Sequence, residues 1–404
     1  MTDTLLPAAV PPECDADPFA PEHLENPEPL HARLRAAGPV VLLTRYGVYA
    51  LPRYAEVHRA LVDWQSFSSG AGVGLADFRR EKPWRPPSLL LEADPPLHDA
   101  PRRVLREILS PSALLALRAT WFAAAEQLVD QVLAQGPVFD AFDALATAFP
   151  LRVFPDAVGL GPHGREKLLP YGNMAFNAFG PVNELVQADA HHAAQLSAWV
   201  AAACERPALA ADGFGARIWQ AADRGELTEQ QAPLVVRSLL TAGVDTTVHG
   251  LGAALYAFAT HPEQWQLLRE NPALARTAFD EAVRWQSPVQ TFFRTTTAPV
   301  TLAATPIPEG SKILMSLASA NRDPDRWDQP DAFDLRRDPS GHVGFGMGLH
   351  QCVGQHVARL EAEALLTALA RRVERIEPAG PPRRHLNNTL RSWRALPVRV
   401  APAR

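Results

Sequence analysis

Beyond residue 97, apolar side chains recur at intervals of three and four over long stretches, the period of helices buried along one face. The spacing predicts helices over 112–133, 168–186, 193–204, 228–259 and 272–285, and a further one from about Cys352 to Arg372. The first hundred residues read differently. Residues 40–51 are apolar and β-branched on either side of Tyr46-Gly47, an extended hairpin, and 66–96 is a Pro/Gly-rich stretch that reads as a long functional loop. Strand-like pieces at 300–302 and 313–316 are separated by turn residues and are too short to build a large sheet. After 372 a Pro-rich tail closes the chain in short extended segments. Helix is the majority state, giving a mainly α fold with small β-sheets.

Composition narrows the function. With 404 residues, 47% hydrophobic and 21% charged, the chain can bury a large core. A net charge of -5 without a basic stripe argues against nucleic acid and for a small molecule or a protein partner. Three widely spaced cysteines, Cys14, Cys204 and Cys352, are odd in number, which points to a reducing, cytoplasmic compartment and makes any special cysteine a ligand or nucleophile. Residues 1–15 lack a basic and then apolar leader and carry Pro7, Pro11 and Pro12, so they read as a flexible tail before one catalytic domain over 16–404. No run of about 18 apolar residues occurs, so no membrane span is expected.

The chemistry concentrates at Gly344-Phe345-Gly346-Met347-Gly348-Leu349-His350-Gln351-Cys352-Val353-Gly354, just before a predicted helix. Glycines at 346 and 348 let the backbone fold tightly beneath a flat group, and a cysteine near a helix N-terminus is favoured as thiolate. That is a way to hold a haem iron. A dinucleotide G-x-G-x-x-G fails because Gln351 stands where the third glycine belongs. A zinc site from His350, Cys352 and His356 lacks a fourth ligand, and a buried structural cysteine is the plain alternative.

Four other segments bear on this choice. Glu281 and Arg284 are spaced to share one helix face, although such pairs are common on solvated helices. Downstream lie Asn321-Arg322-Asp323-Pro324, Trp327 and Phe333. Within the 228–259 pattern, Ala242-Gly243-Val244-Asp245-Thr246-Thr247 places glycine inside a helix at a cost of about 0.5–1 kcal/mol, so something must approach the backbone there. The alternative is a kinked helix with threonine bonded to its own carbonyls. Finally, Asp94-Pro95-Pro96-Leu97-His98 is followed four residues later by Arg102.

Taken in order, these markers over 94–354 resemble the cytochrome P450 family. The resemblance implies a single-domain, α-rich prism with a long central helix over haem b, and Cys352 as axial iron ligand within a loop that includes Phe345, Gly346 and Gly354. His98, Arg102, Arg294 and His350 would bind the propionates, for which arginine's planar fork is suited. The Glu281/Arg284 pair would brace the core, and Asp245 and Thr246 would relay protons.

Further runs, Glu81 to Ser88, Phe176 to Pro181, Val236 to Leu240 and Ser287 to Arg294, resemble the bacterial members that oxidise para-substituted benzoic acids. That resemblance implies carboxylate capture by Ser88 and Ser238 with Arg85 and Arg237, and a ring enclosed by Leu91, Phe176, Phe179, Ala242, Val289 and Phe292. Thr241 stands where these relatives carry serine, which would make the pocket slightly smaller. Ser238 and Thr246 are eight residues apart, about 12 Å along a helix, and 238, 242, 245 and 246 would share one face. A benzoate with a para methoxy group spans that distance. The implied reaction is O-demethylation of 4-methoxybenzoate, with hydroxylation of related acids. Oxidation of neutral aromatics or terpenoids, peroxide-driven peroxygenation and a non-enzymatic haem sensor are the alternatives. Implied partners are O2 and a [2Fe-2S] ferredoxin with its NAD(P)H-dependent reductase, since no electron-transfer domain follows Arg404. The ferredoxin would dock on Arg103, Arg106 and Arg359, on a monomer.

Overall fold

The chain was analysed as a computed structural model that describes residues 9–403. Four packed helices share its main core. Gln355–Arg372 lies against Pro111–Ala134 and against Ala275–Gln286, which in turn packs on Asp245–Thr260. These faces share the largest hydrophobic core, in which Phe149, Phe258, Phe279 and Leu365 are fully buried. Burying such a side chain contributes roughly 1.5–3 kcal/mol, so this stack is the stable platform of the fold.

Two predicted helices are broken, each for a local reason. The 168–186 pattern divides into Leu168–Asn177 and a separate helix Glu184–Ala203, which absorbs the segment predicted over 193–204. Pro181 lacks an amide hydrogen and disfavours helical backbone at Gly180, and Asn183 then caps the new helix by accepting from the Val186 N–H at 3.3 Å. The 228–259 pattern becomes Gln231–Ala242 and Asp245–Thr260. At the break, the Thr246 hydroxyl donates to the Ala242 carbonyl at 2.8 Å.

The short strands also do more than their lengths suggest. Six of them form one sheet in the order Glu13–Cys14, Val41–Leu43, Val48–Leu51, Lys312–Ser316, Thr291–Thr296, Phe67–Ser68. The hairpin turns at Gly47 (φ 62°), and its second strand runs parallel to Lys312–Ser316. Three smaller sheets hold the remaining strands. The loose tail expected over 1–15 is likewise altered. Residues 1–8 lie outside the described residues, but Ala9 bonds to the Ala304 carbonyl and Glu13–Cys14 is an edge strand beside Val41–Leu43. Among the described residues, no single helix is long and apolar enough to cross a membrane.

The loop over 66–96 is pinned by one buried lysine. Lys312 Nζ donates to the carbonyls of Ala71, Gly72 and Gly74 at 3.0–3.1 Å. Burial pulls its ammonium down from the ordinary 10.5 to about 8, against a partly compensating Asp77. At this residue the folded protein therefore holds fewer protons than the unfolded chain between pH 8 and 10.5, and the contribution of Lys312 to stability rises with pH in that window. The stability advantage of wild type over Lys312→Met is expected to grow by up to about 3 kcal/mol from pH 8 to 10.5, and to stay flat below pH 8, in urea titrations across pH.

Candidate functional site

Cys352 sits at the base of a cavity that runs up past Thr246 and Ala242 to Ser88 and Ser238. Its loop is shaped by Val343–Phe345, a tight helical turn, and by left-handed glycines at 346 (φ 66°) and 348 (φ 65°). A side chain at 348 would also lie 2.9 Å from the Leu61 carbonyl and from Val62 Cα, so only glycine fits. The loop closes when the Cys352 N–H donates to the Phe345 carbonyl at 2.8 Å. Burial pushes the Cys352 thiol up, while the N–H groups of Gly354 and Gln355 and the guanidinium groups of Arg102 and Arg359 favour the thiolate. The helix that follows begins at Gln355, three residues later than predicted.

The zinc reading does not survive. Among the described residues no group of three His, Cys, Asp or Glu side chains is placed to hold a metal ion, and both ring nitrogens of His350 are already engaged.

Behind the loop, Glu281 and Arg284 are fully buried. Arg284 clasps both oxygens of Glu281 at 2.7 and 2.8 Å and donates to the carbonyls of Asn321, Pro330 and Ala332, each at 2.9 Å. Asn321 in turn accepts from the Val343 N–H at 2.8 Å, immediately before the cysteine loop. The pair therefore braces that loop through one intermediate residue. The Asn321–Pro324 segment, Trp327 and Phe333 lie around it, with Trp327 beneath the guanidinium.

The residues in and beside the lower cavity suit haem b, with His98 packed edge to face at 4.9 Å on His350, which lines it. His98 is fully buried, and neither ring nitrogen has a hydrogen-bond partner; burial holds its imidazole down at about 4. Arg294 is 2% exposed and its guanidinium makes one hydrogen bond, to the Phe293 carbonyl. Burial draws it down to about 10, against the pull of Asp94. Buried polar groups are normally satisfied, so the unpartnered His98 nitrogens and a buried Arg294 guanidinium with a single partner call for acidic oxygens of a bound group. Arg102 lines the same space, as do Phe345, Gly346 and Gly354. His350 is committed elsewhere, to the Leu90 carbonyl at 2.9 Å and to Asp94 at 3.2 Å. Burial raises the Asp94 carboxyl, but bonds from His350, Ser68 and the N–H groups of Ser69 and Gly70 outweigh this and hold it at about 2. His350 thus fastens the 66–96 loop, a role its sequence position does not reveal.

Asp245 and Thr246 part company. Thr246 lines the cavity, but Asp245 turns away, bonding through Oδ1 to His249 Nε2 at 2.9 Å, with Oδ2 buried and unpartnered. It packs against Gly172, where a Cβ would lie 2.9 Å from the aspartate side chain. The single face expected for 238, 242, 245 and 246 is lost because the helix breaks between Ala242 and Asp245. What approaches Gly243 is the Phe154 ring, 2.5 Å from where a Cβ would stand. His249 is one turn after Asp245, so helical spacing alone would have found it.

At the upper end, Ser88 and Ser238 hydroxyls lie 3.4 Å apart. Arg237 is 9% exposed and donates to the carbonyls of Pro86 and Pro87 at 2.7 and 3.3 Å, and Arg85 pairs with Glu92 at 2.9 Å. Neither arginine is a solvated surface charge. Phe176 and Phe179 meet edge to face at 5.7 Å, Phe179 and Phe292 at 5.8 Å, and Leu91, Val289, Thr241 and Ala242 complete an apolar wall. Glu92 was missed in the sequence, where nothing but its nearness to Asp94 distinguishes it. On the helix Asp99–Ile108, Arg103 and Arg106 are exposed, but Arg359 is held by Asp280 at 2.8 Å and is not free to dock a partner.

Residues 212–393 match the family model described as Cytochrome P450. The chain is 56% identical, over 97% of its length and 95% of the relative, to Cytochrome p450 CYP199A2 of Rhodopseudomonas palustris. It is 31% identical to the Beta-dihydromenaquinone-9 omega-hydroxylase of Mycobacterium tuberculosis, over 96% of this chain and 79% of that one. Among solved structures, CYP109Q5 from Chondromyces apiculatus superposes with a TM-score of 0.80 at 30% identity, over 96% and 99% of the two chains. Cytochrome P450 CREJ, in complex with (4-ethylphenyl) dihydrogen phosphate, gives 0.85 at 25%, over 95% and 99%.

Proposed function

The chain belongs to the cytochrome P450 family, and we propose that it is a monooxygenase of para-substituted benzoic acids that demethylates 4-methoxybenzoate. Enzymes of this family use O2 and redox partners with haem b as cofactor. The observation that carries the substrate reading is the pairing of two buried guanidinium groups and two hydroxyls at one end of an apolar cavity whose other end is Cys352. Such an arrangement fits a flat aromatic body with an anionic head.

Haem bound at Cys352 would supply dioxygen activation, and His98, Arg102 and Arg294 would hold its propionates. The rest falls to the chain. Ser88, Ser238 and Arg237 would grip the carboxylate, and the Phe176, Phe179 and Phe292 rings would exclude water and hold the ring upright. A para methoxy group is then presented at the far end of the cavity, so orientation selects the position attacked. Thr246 Oγ1, on the cavity wall, would pass a proton inward, and Asp245, held by His249, would supply it once its side chain turns. Overall, 4-methoxybenzoate, O2, two electrons and two protons give 4-hydroxybenzoate, formaldehyde and water: oxygen enters one methyl C–H bond, and the resulting hemiacetal collapses. A cytoplasmic [2Fe-2S] ferredoxin with its NAD(P)H-dependent reductase would supply the electrons, docking by the exposed Arg103 and Arg106.

Titration of the ferric haem protein with 4-methoxybenzoate and with its methyl ester tests this. A spin-state shift is expected with the acid at concentrations at least about 100-fold below those at which the ester acts, the scale of a lost charge-assisted contact. Equal responses would sink the acid reading, as would turnover that releases no formaldehyde.

A further inference from the structure

The carboxylate end of the cavity holds a charge that substrate capture does not need. Glu92 is 5% exposed, and its Oε2 accepts from Arg85 Nη1 at 2.9 Å and from the Ser88 N–H at 2.7 Å. Arg85 Nε is buried with no partner. Arg237, whose guanidinium burial pulls below its usual range, lies within the electrostatic reach of Arg85, Glu92, Tyr171 and Cys204. Two guanidinium groups and one carboxylate leave a single positive charge beside the two serine hydroxyls.

We propose that Glu92 is a specificity-determining residue that sets this end of the cavity to one positive charge, so that it takes a singly charged aromatic acid and turns away a doubly charged one. The inference rests on the para-substituted acid reading above. It follows from electrostatics at low exposure: an ionised group seated here feels Arg85 and Arg237 as attraction and Glu92 as repulsion, and a second negative charge on the ligand doubles each term. With Glu92 present, the second charge of a dianion finds no counter-charge and must still leave water. Removing the Glu92 charge raises the local total to two, which favours a dianion over a monoanion of the same shape. Shape has to be held constant in any comparison, because a tetrahedral head also differs from a planar carboxylate.

Two tetrahedral probes meet that need: 4-methoxybenzenesulfonate, singly charged, and 4-methoxyphenylphosphonate, doubly charged at mildly alkaline pH. The ferric holoprotein is titrated with each, following the haem spin shift. Wild type is expected to prefer the sulfonate. In Glu92→Gln the preference moves toward the phosphonate by roughly tenfold or more, as one unit charge at contact range in a partly buried site requires. Arg85→Gln moves it the other way. The double variant Arg85→Gln with Glu92→Gln restores the single charge and should return the preference to within about threefold of wild type. That restoration separates a charge effect from damage to the loop, which the two changes together would worsen.

A sulfonate-to-phosphonate ratio unchanged in Glu92→Gln, or a double variant that fails to restore it, overturns the inference. In either case wild type would still favour 4-methoxybenzoate over its ester, and the substrate reading would stand. If wild type shows no such preference, both readings fall together.

Discussion

Alanine in place of Arg284 is expected to cost about 3–5 kcal/mol of stability and to leave a protein that retains haem poorly. Both members of the Glu281/Arg284 pair are fully buried, so neither charge is screened by water. The guanidinium makes five hydrogen bonds, two to Glu281 and three to backbone carbonyls. Without it, Glu281 keeps only the Arg337 Nε and the Asp334 N–H, both at 3.2 Å, and three carbonyls lose a donor. Each buried group left unpaired costs about 1–3 kcal/mol. Lysine does not rescue the site, because one ammonium cannot reach a carboxylate and three carbonyls held in different directions. Because Asn321 links this cluster to Val343, the cysteine loop should loosen as well, so haem content falls with stability. Urea unfolding of the haem-free and haem-loaded forms measures both. A loss below about 1 kcal/mol would show that the pair does not brace the fold.

The second large effect concerns the substrate. Changing Arg237 and Ser238 together to alanine is expected to weaken 4-methoxybenzoate binding by roughly 100-fold or more, with the methyl ester little affected. Charge-assisted hydrogen bonds contribute about 1.5–3 kcal/mol, and a tenfold change in affinity is about 1.4 kcal/mol. Arg237 also holds the Pro86 and Pro87 carbonyls, so part of its effect acts by positioning Ser88. Arg237→Lys should therefore recover some affinity but not all of it. Spin-shift titrations with the acid and the ester report the difference. Unchanged affinity for the acid would mean that the carboxylate is not held at this end.

Much of this site is legible in the sequence. The cysteine loop carries its own signature in glycines that demand left-handed backbone, and Gly346 and Gly348 take it. The Glu281/Arg284 pair was visible as a spacing, but a spacing cannot tell a buried ion pair from a solvated one. Zero exposure and three backbone carbonyls decide that, and the carbonyls come from residues 37 to 48 positions away. Likewise, Arg85 and Arg237 have the sequence of ordinary surface cations and become site residues only because the loop and the helix Gln231–Ala242 meet.

Local rules, then, determined what is local: helical period, the turn at Tyr46-Gly47, the glycines of the cysteine loop, and the order of markers that resembles the family. The tertiary structure alone decided which partner each charged or polar side chain took. It joined short strands into a six-stranded sheet, gave His350 to Asp94, set the Arg284 guanidinium on the Asn321, Pro330 and Ala332 carbonyls, and brought Arg237 to the Pro86 and Pro87 carbonyls. The physical reason is common to all four. Periodicity reports which face of an element is apolar, whereas an ion pair or a strand pairing depends on atoms delivered by segments far away in the chain, and its strength depends on how completely water is removed.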